Sequence, residues 1–145
     1  MWVIRLVSEM DKIAKLTDIF RIYPEIIAVY LFGSYLEDSE HARDVDLAVL
    51  LQQPVESQVD VYMSLYPRVA EALAPLEADL LFLRSASLPV RFEAVSGGKV
   101  VYSCDEDRRT DFEYAVAGEY MDFKYHLDIA RRELFESIKE GAALV

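Results

Sequence analysis

Ile26-Ile27-Ala28-Val29-Tyr30-Leu31-Phe32-Gly33-Ser34, nine further residues, then Asp44-Val45-Asp46-Leu47-Ala48-Val49-Leu50-Leu51: this stretch decides the fold. Its first run is short, apolar and rich in β-branched and aromatic residues, which predicts a buried strand closed by Gly33. Its second run predicts another strand, Asp44 to Leu51. Side chains alternate along a strand, so Asp44 and Asp46 share one face with Ala48 and Leu50. Val45, Leu47, Val49 and Leu51 cover the other face.

Outward from this pair, the apolar positions Val3, Leu6, Val7, Met10, Ile13, Ala14 and Phe20 recur at helical spacing, and Pro24 closes that helix. Downstream, Ser57-Gln58-Val59-Asp60 fits a capping box. Val59, Tyr62, Met63, Tyr66, Ala70 and Leu73 then form a stripe, with Pro67 inside it predicting a kink or break. Glu77 to Leu83 reads as a third strand, with Glu77 and Asp79 on the face of Leu81 and Leu83. A short helix over 89–95, the Gly97-Gly98 turn and a fourth strand, Lys99 to Ser103, follow. Phe112, Val116, Phe123, Leu127, Ala130, Leu134 and Ile138 predict a long helix from Thr110 to Ile138, weakened slightly by Gly118. The expected fold is α/β (or α+β): one small mixed sheet of about four strands, flanked by helices, with a long C-terminal helix. At 145 residues, without repeat or linker, residues 1–145 read as a single domain.

The topology implied by these elements gathers the polar residues. A right-handed crossover through the Ser57 helix makes the second and third strands parallel, with their beginnings together. The first strand reads as antiparallel to the second, so its end at Gly33 meets the same rim. Asp44, Asp46, Asp79, Gly33 and Ser34 then converge. Three crowded carboxylates repel one another unless cations sit among them. Hard oxygen ligands suit Mg²⁺, and two such ions about 3.5–4 Å apart clamp an in-line displacement. Gly33 lets a phosphate approach the backbone, and Ser34 offers its hydroxyl and the amides of its turn. Plainer roles exist for each residue. Gly33 could serve only a turn, and Ser34 could be a helix N-cap, because Ser34-Tyr35-Leu36-Glu37 matches a capping box. It is their combination, in order, that argues for a site.

Composition sets limits. The formal charge of −11 argues against direct nucleic-acid binding, which needs clustered Lys and Arg. It also disfavours binding of free ATP unless a metal cation neutralises the phosphates, and it suits a basic protein partner equally well. No apolar run approaches the ~18 residues that span a bilayer, and the start carries no secretory signal pattern. A single cysteine, Cys104, allows no internal disulfide. The expectation is a cytoplasmic protein without membrane contact.

Gly33-Ser34, the nine-residue spacer and Asp44-Val45-Asp46 resemble the Gly-Ser…Asp-x-Asp signature of the DNA polymerase β-like nucleotidyltransferases. Asp79 occupies the place of that superfamily's third carboxylate. Length, layout and the tail Phe112-Glu113…Tyr120-Met121-Asp122-Phe123-Lys124 resemble the minimal nucleotidyltransferases, in particular MntA-type antitoxins paired with HEPN toxins. The resemblance implies metal ligation by Asp44, Asp46 and Asp79, with Asp79 also helping to activate the attacking hydroxyl. It implies phosphate binding by Gly33 and Ser34, Mg²⁺ in two sites, and ATP as substrate. It further implies transfer of AMP to a tyrosine of a HEPN toxin, silencing its RNase activity. Two other readings fit the same residues: a small-molecule, antibiotic-type nucleotidyltransferase, and a non-catalytic antitoxin that neutralises by binding alone.

Other polar residues have weaker claims. Arg43, Arg84 and Arg91 are candidate phosphate partners, Arg43 first because it adjoins Asp44. His41 and His126 read as solvated or packing residues. Arg108-Arg109 and Arg131-Arg132 read as solvated helix faces, and Cys104 as an inert, partly buried thiol. Tyr120 and Phe123 fit either a core or a partner-binding face.

Overall fold

The computed structural model describes residues 2–143, and side chains from 9 to 141. The order is α1 (Trp2–Arg21), β1 (Ile26–Phe32), α2 (Ser34–Glu37), β2 (Asp44–Leu51), α3 (Gln58–Leu73), β3 (Glu77–Phe82), a 3₁₀ turn (Leu83–Ser85), α4 (Leu88–Gly97), β4 (Lys99–Ser103) and α5 (Glu106–Ala143). The side chains of Val3, Leu6 and Val7, expected on the inner face of α1, lie outside the described residues.

The four strands form one mixed sheet in the order β3-β2-β1-β4. β1 is antiparallel to both β2 and β4, and β2 is parallel to β3, as the crossover argument requires. Both faces are covered. Val45, Leu47, Val49 and Leu51 pack with Leu16 and Phe20 of α1 and with Val61, Leu65, Val69 and Leu73 of α3. Each such side chain contributes about 1.5–3 kcal/mol on burial. On the other face Ala28, Tyr30, Phe32, Ala48, Leu50 and Leu83 pack beneath Ala94 of α4, with Phe112 of α5 against them.

Ser57 caps α3 as expected, accepting a bond from the Asp60 amide. Pro67, however, neither ends nor interrupts α3. Its missing amide leaves the carbonyl of Met63 unbonded within the helix, but Pro67 is exposed and Met63 is 67% exposed, so water can satisfy that carbonyl. α5 begins earlier than the apolar spacing indicates, because Asp105 accepts from the Arg108 amide at 3.1 Å and acts as its cap. The third strand ends one residue early, at Phe82, where Leu83 enters the 3₁₀ turn.

α5 is fastened to the sheet by a polar contact under its first turns. Tyr30, 1% exposed, donates to Glu113 Oε1 at 2.6 Å, and Arg109 donates to the same oxygen at 2.7 Å. Arg109 also pairs with Glu106. Arg109 is therefore no solvated face residue, since its side chain is only 17% exposed. Burial, then the Glu113 carboxylate, drives the Tyr30 phenol well above its ordinary pKa, so it remains a donor. Tyr30→Phe leaves Glu113 short of a partner and should lower stability by about 1–3 kcal/mol, read by denaturant titration. A variant as stable as the parent would show that Arg109 alone satisfies Glu113.

Candidate active site

The registers place the acidic residues side by side. Phe32 pairs with Asp46 across β1 and β2, and Asp46 pairs with Asp79 across β2 and β3. Asp44 pairs with Glu77 one pleat earlier. The Glu77 amide donates to the Arg43 carbonyl at 2.9 Å, which ties the two strand beginnings together. Because Asp44, Asp46 and Asp79 occupy one face at the edge of the hydrophobic layer, Asp46 is half-buried and the other two are exposed.

Gly33 sits directly against this group. It adopts φ 80°, ψ −157°, a conformation that L side chains rarely enter. A Cβ at this position would overlap Asp46 Oδ2 and lie 3.1 Å from Asp46 Cγ. Gly33, not Ser34, is the cap residue of α2, and no side chain caps that helix. Ser34 is instead its first helical residue, exposed, with an amide that has no acceptor within the helix. The expected N-cap role of Ser34 is thus corrected: the glycine's unusual backbone turns the chain, and the serine hydroxyl makes no cap bond.

Electrostatics mark Asp46 as the strained member. Burial first, then the charge and hydrogen-bonding contact of Asp79, then the charges of Asp44 and Glu93, hold its carboxyl above the ordinary range. Asp46 and Asp79 are therefore in contact, with Asp44 and Glu93 near enough to repel. Glu93 belongs to α4 and escaped the sequence reading. Its only local signal is a carboxylate in an otherwise apolar turn, and packing of α4 on the sheet is what brings it here. Such a crowd of carboxylate oxygens fits a divalent cation, which needs one or two protein carboxylates and completes its shell with water and phosphate. Among the described residues, the trio whose ligand atoms all lie within 4.8 Å of one another is instead Asp38, Glu40 and His41, on the exposed loop before β2; Asp44, Asp46 and Asp79 are not drawn together that closely. There His41 pairs with Asp38 at 2.7 Å and holds that carboxyl below its ordinary range.

The remaining candidates are sorted by position. Arg84 lies at the opposite rim, donating to the Leu51 carbonyl at 2.7 Å and resting 5.3 Å above the Phe112 ring centre. That rim is the far end of β2 from Asp44, about 23 Å along the strand, so Arg84 holds no phosphate at the aspartates. Arg43 adjoins the site and is exposed, while Arg91 of α4 is half-buried. Cys104 is exposed, and its thiol donates to the Ile26 carbonyl at 3.1 Å.

Asp46 gives a stability signature with a defined sign. Its folded pKa is raised above the ordinary carboxylate value of about 4, so the folded state holds a proton that the unfolded chain releases. Stability from this group is full below about pH 4 and is lost as pH rises through the folded value. Thermal melts of metal-free protein and of Asp46→Asn should lie close together near about pH 4 and separate toward about pH 7, with the variant gaining on the parent as pH rises. Identical slopes would remove the strain assigned to this carboxylate.

The family described as polymerase beta, nucleotidyltransferase, matches residues 14–107. The chain belongs to that family. The matched span runs from α1 to the start of α5 and contains Gly33, Ser34 and all three aspartates. Over 121 residues the chain is 29% identical to the protein adenylyltransferase MntA of Shewanella oneidensis, covering 83% of this chain and 81% of that protein. A chain from the crystal structure of a toxin–antitoxin with AMP-PNP superposes with TM-score 0.64 at 27% identity, covering 87% of this chain and 97% of that one. A chain from the tri-AMPylated Shewanella oneidensis HEPN toxin in complex with its MNT antitoxin superposes with TM-score 0.63 at 26% identity, covering 90% and 98%. The small mixed sheet with flanking helices and a long C-terminal helix is the fold of these family relatives.

Proposed function

We propose that this chain is a Mg²⁺-dependent protein adenylyltransferase and an antitoxin, transferring AMP from ATP to a tyrosine of a HEPN-domain RNase toxin. The observation that carries the reading is the Asp46–Asp79 contact with the Gly33 backbone wedged against it. The similarity to MntA and to chains of toxin–antitoxin complexes, one holding AMP-PNP and one a tri-AMPylated toxin, supports the acceptor and the nucleotide.

In this reading Asp44, Asp46 and Asp79 hold Mg²⁺, in two sites, and the metal screens phosphate charge that a chain of −11 would otherwise repel. Gly33, having no side chain, admits the phosphates to the backbone, and Ser34 donates to them from its hydroxyl and amide. The acceptor phenol oxygen forms its bond to the α-phosphorus as the bond to the β-phosphate bridging oxygen breaks and pyrophosphate leaves. Asp79, the more exposed of the contacting pair, takes the phenol proton and passes it to water. No described helix is long and apolar enough to cross a membrane, and the site of action is the cytoplasm, where ATP and an RNase target are found together. Incubation with labelled ATP, Mg²⁺ and the HEPN-domain toxin should add AMP masses to a tyrosine of that toxin. Label appearing on a small aminoglycoside-like acceptor instead, with the protein unmodified, would transfer the chain to the antibiotic-modifying class.

A further inference from the structure

The long helix α5 is covered along only part of its length. Val116 is 2% exposed, and Tyr120 stacks on Phe92 of α4 with ring centres 3.9 Å apart and planes 5° from parallel. Beyond Phe123, already 42% exposed, the helix runs on through residues 124–143, about 30 Å. Its side chains over 124–141 are exposed almost throughout, Leu134 at 62% and Ile138 at 59% among them. A helix of that length, without a packed face, is marginal in water by itself.

One row of apolar residues runs the length of the helix, while exposed Met121, Tyr125 and Phe135 lie off it. Val116, Tyr120, Phe123, Leu127, Ala130 and Leu134 alternate at spacings of four and three, the seam of a coiled-coil helix. α4 occupies the first part of that seam, and the rest is open. The flanks differ in sign: Lys124 and Arg131 border one side, while Glu119, Glu133 and Glu140 border the other. Two copies of α5 running antiparallel would set each flank against its own kind, basic on basic and acidic on acidic. Two copies running parallel would bring together the globular bodies of two chains of charge −11 each. The charge pattern therefore disfavours a second copy. It fits a helix from a different protein, with acidic residues facing Lys124 and Arg131 and basic residues facing the glutamates.

We infer that the open seam of α5 is the docking surface for a helix of the HEPN toxin, laid end to end with α4; this rests on the antitoxin reading above. The surface continues the α4–α5 packing, and α4 also carries Glu93 of the acidic group, so a toxin held there is anchored to the helix pair beside the site.

The test uses the full chain and the HEPN-domain toxin, with binding read by biolayer interferometry. Leu134→Lys with Ile138→Lys should weaken binding by about 100-fold or more, as loss of two interface anchors does. Lys124→Glu with Arg131→Glu should weaken it less and mainly at low salt. Both variants should keep the parent's melting temperature and ATP affinity, because every changed side chain is exposed. At saturating toxin the first variant should recover the parent's kcat, the loss appearing in KM. Unchanged toxin binding by both variants, with AMP transfer intact, would overturn the seam and leave the enzyme reading standing. So would a dimer of the chain alone that Leu134→Lys dissolves, since the occupant is then a second copy. A parent that neither binds nor modifies the HEPN protein would overturn the antitoxin reading and this surface together.

Discussion

The double change Asp44→Asn, Asp46→Asn is expected to give a folded protein whose AMP transfer has fallen by about 1000-fold or more. The magnitude follows from the charge stabilisation that a bound metal supplies, several kcal/mol at roughly 1.4 kcal/mol per factor of ten. Asparagine nearly matches aspartate in shape, and its amide can still donate to Asp79 where Asp46 now contacts it. Without metal the variant should melt no lower than the parent, because the repulsion that lifts the Asp46 pKa is gone. Mass spectrometry of the co-expressed toxin should then find no AMP, and cells expressing that toxin should lose protection. Full protection at ordinary expression would mean that the chain neutralises by occupancy alone, and the catalytic reading would fall.

Gly33→Val should have an effect of similar size for a different reason. The added Cβ would overlap Asp46 Oδ2, and the backbone at φ 80° is strained for a β-branched residue. The carboxylate and the turn must both move, at a cost of about 1–3 kcal/mol in stability, while the remaining core keeps the fold. Transfer should be lost and nucleotide affinity should fall with it, measured by fluorescence of an ATP analogue. Gly33→Ala tests the same contact with a smaller group and should show the same defect in milder form. A well-folded Gly33→Val protein with normal transfer would mean that the phosphates do not pass over this turn.

Much of this arrangement is legible without coordinates because strand alternation is strict. Placing Asp44 and Asp46 on one face needs only their spacing, and a right-handed crossover between parallel strands brings the beginnings of β2 and β3 together; the pairing of Asp46 with Asp79 is set by the register. Four features were not legible. Glu93 reaches the acidic group through the packing of α4, which no local spacing encodes. The exchange of roles between Gly33 and Ser34 depends on a backbone angle that a serine-first capping box does not reveal. Pro67 is tolerated because of where it faces, and facing is decided by the tertiary contact of α3 with the sheet. The burial of Arg109 has a related cause: its neighbours in sequence are acidic and solvated, but the Glu113 oxygen it donates to also accepts from Tyr30 at the centre of the sheet.

The residues proposed for catalysis, Gly33, Ser34, Asp44, Asp46 and Asp79, all stand at one rim of the sheet, where β1 ends and β2 and β3 begin. The opposite rim, with residues 52–57 between β2 and α3 and residues 83–87 after β3, carries connections alone. For protein engineering the two rims are unequal. A short peptide tag or a fluorophore attached within 52–57 would sit a strand's length from the aspartates. A single residue added between Glu77 and Asp79 would instead rotate Asp79 to the α3 side of the sheet and dismantle the pair. Insertions in this chain are therefore tolerated or fatal according to which end of the same strands they enter.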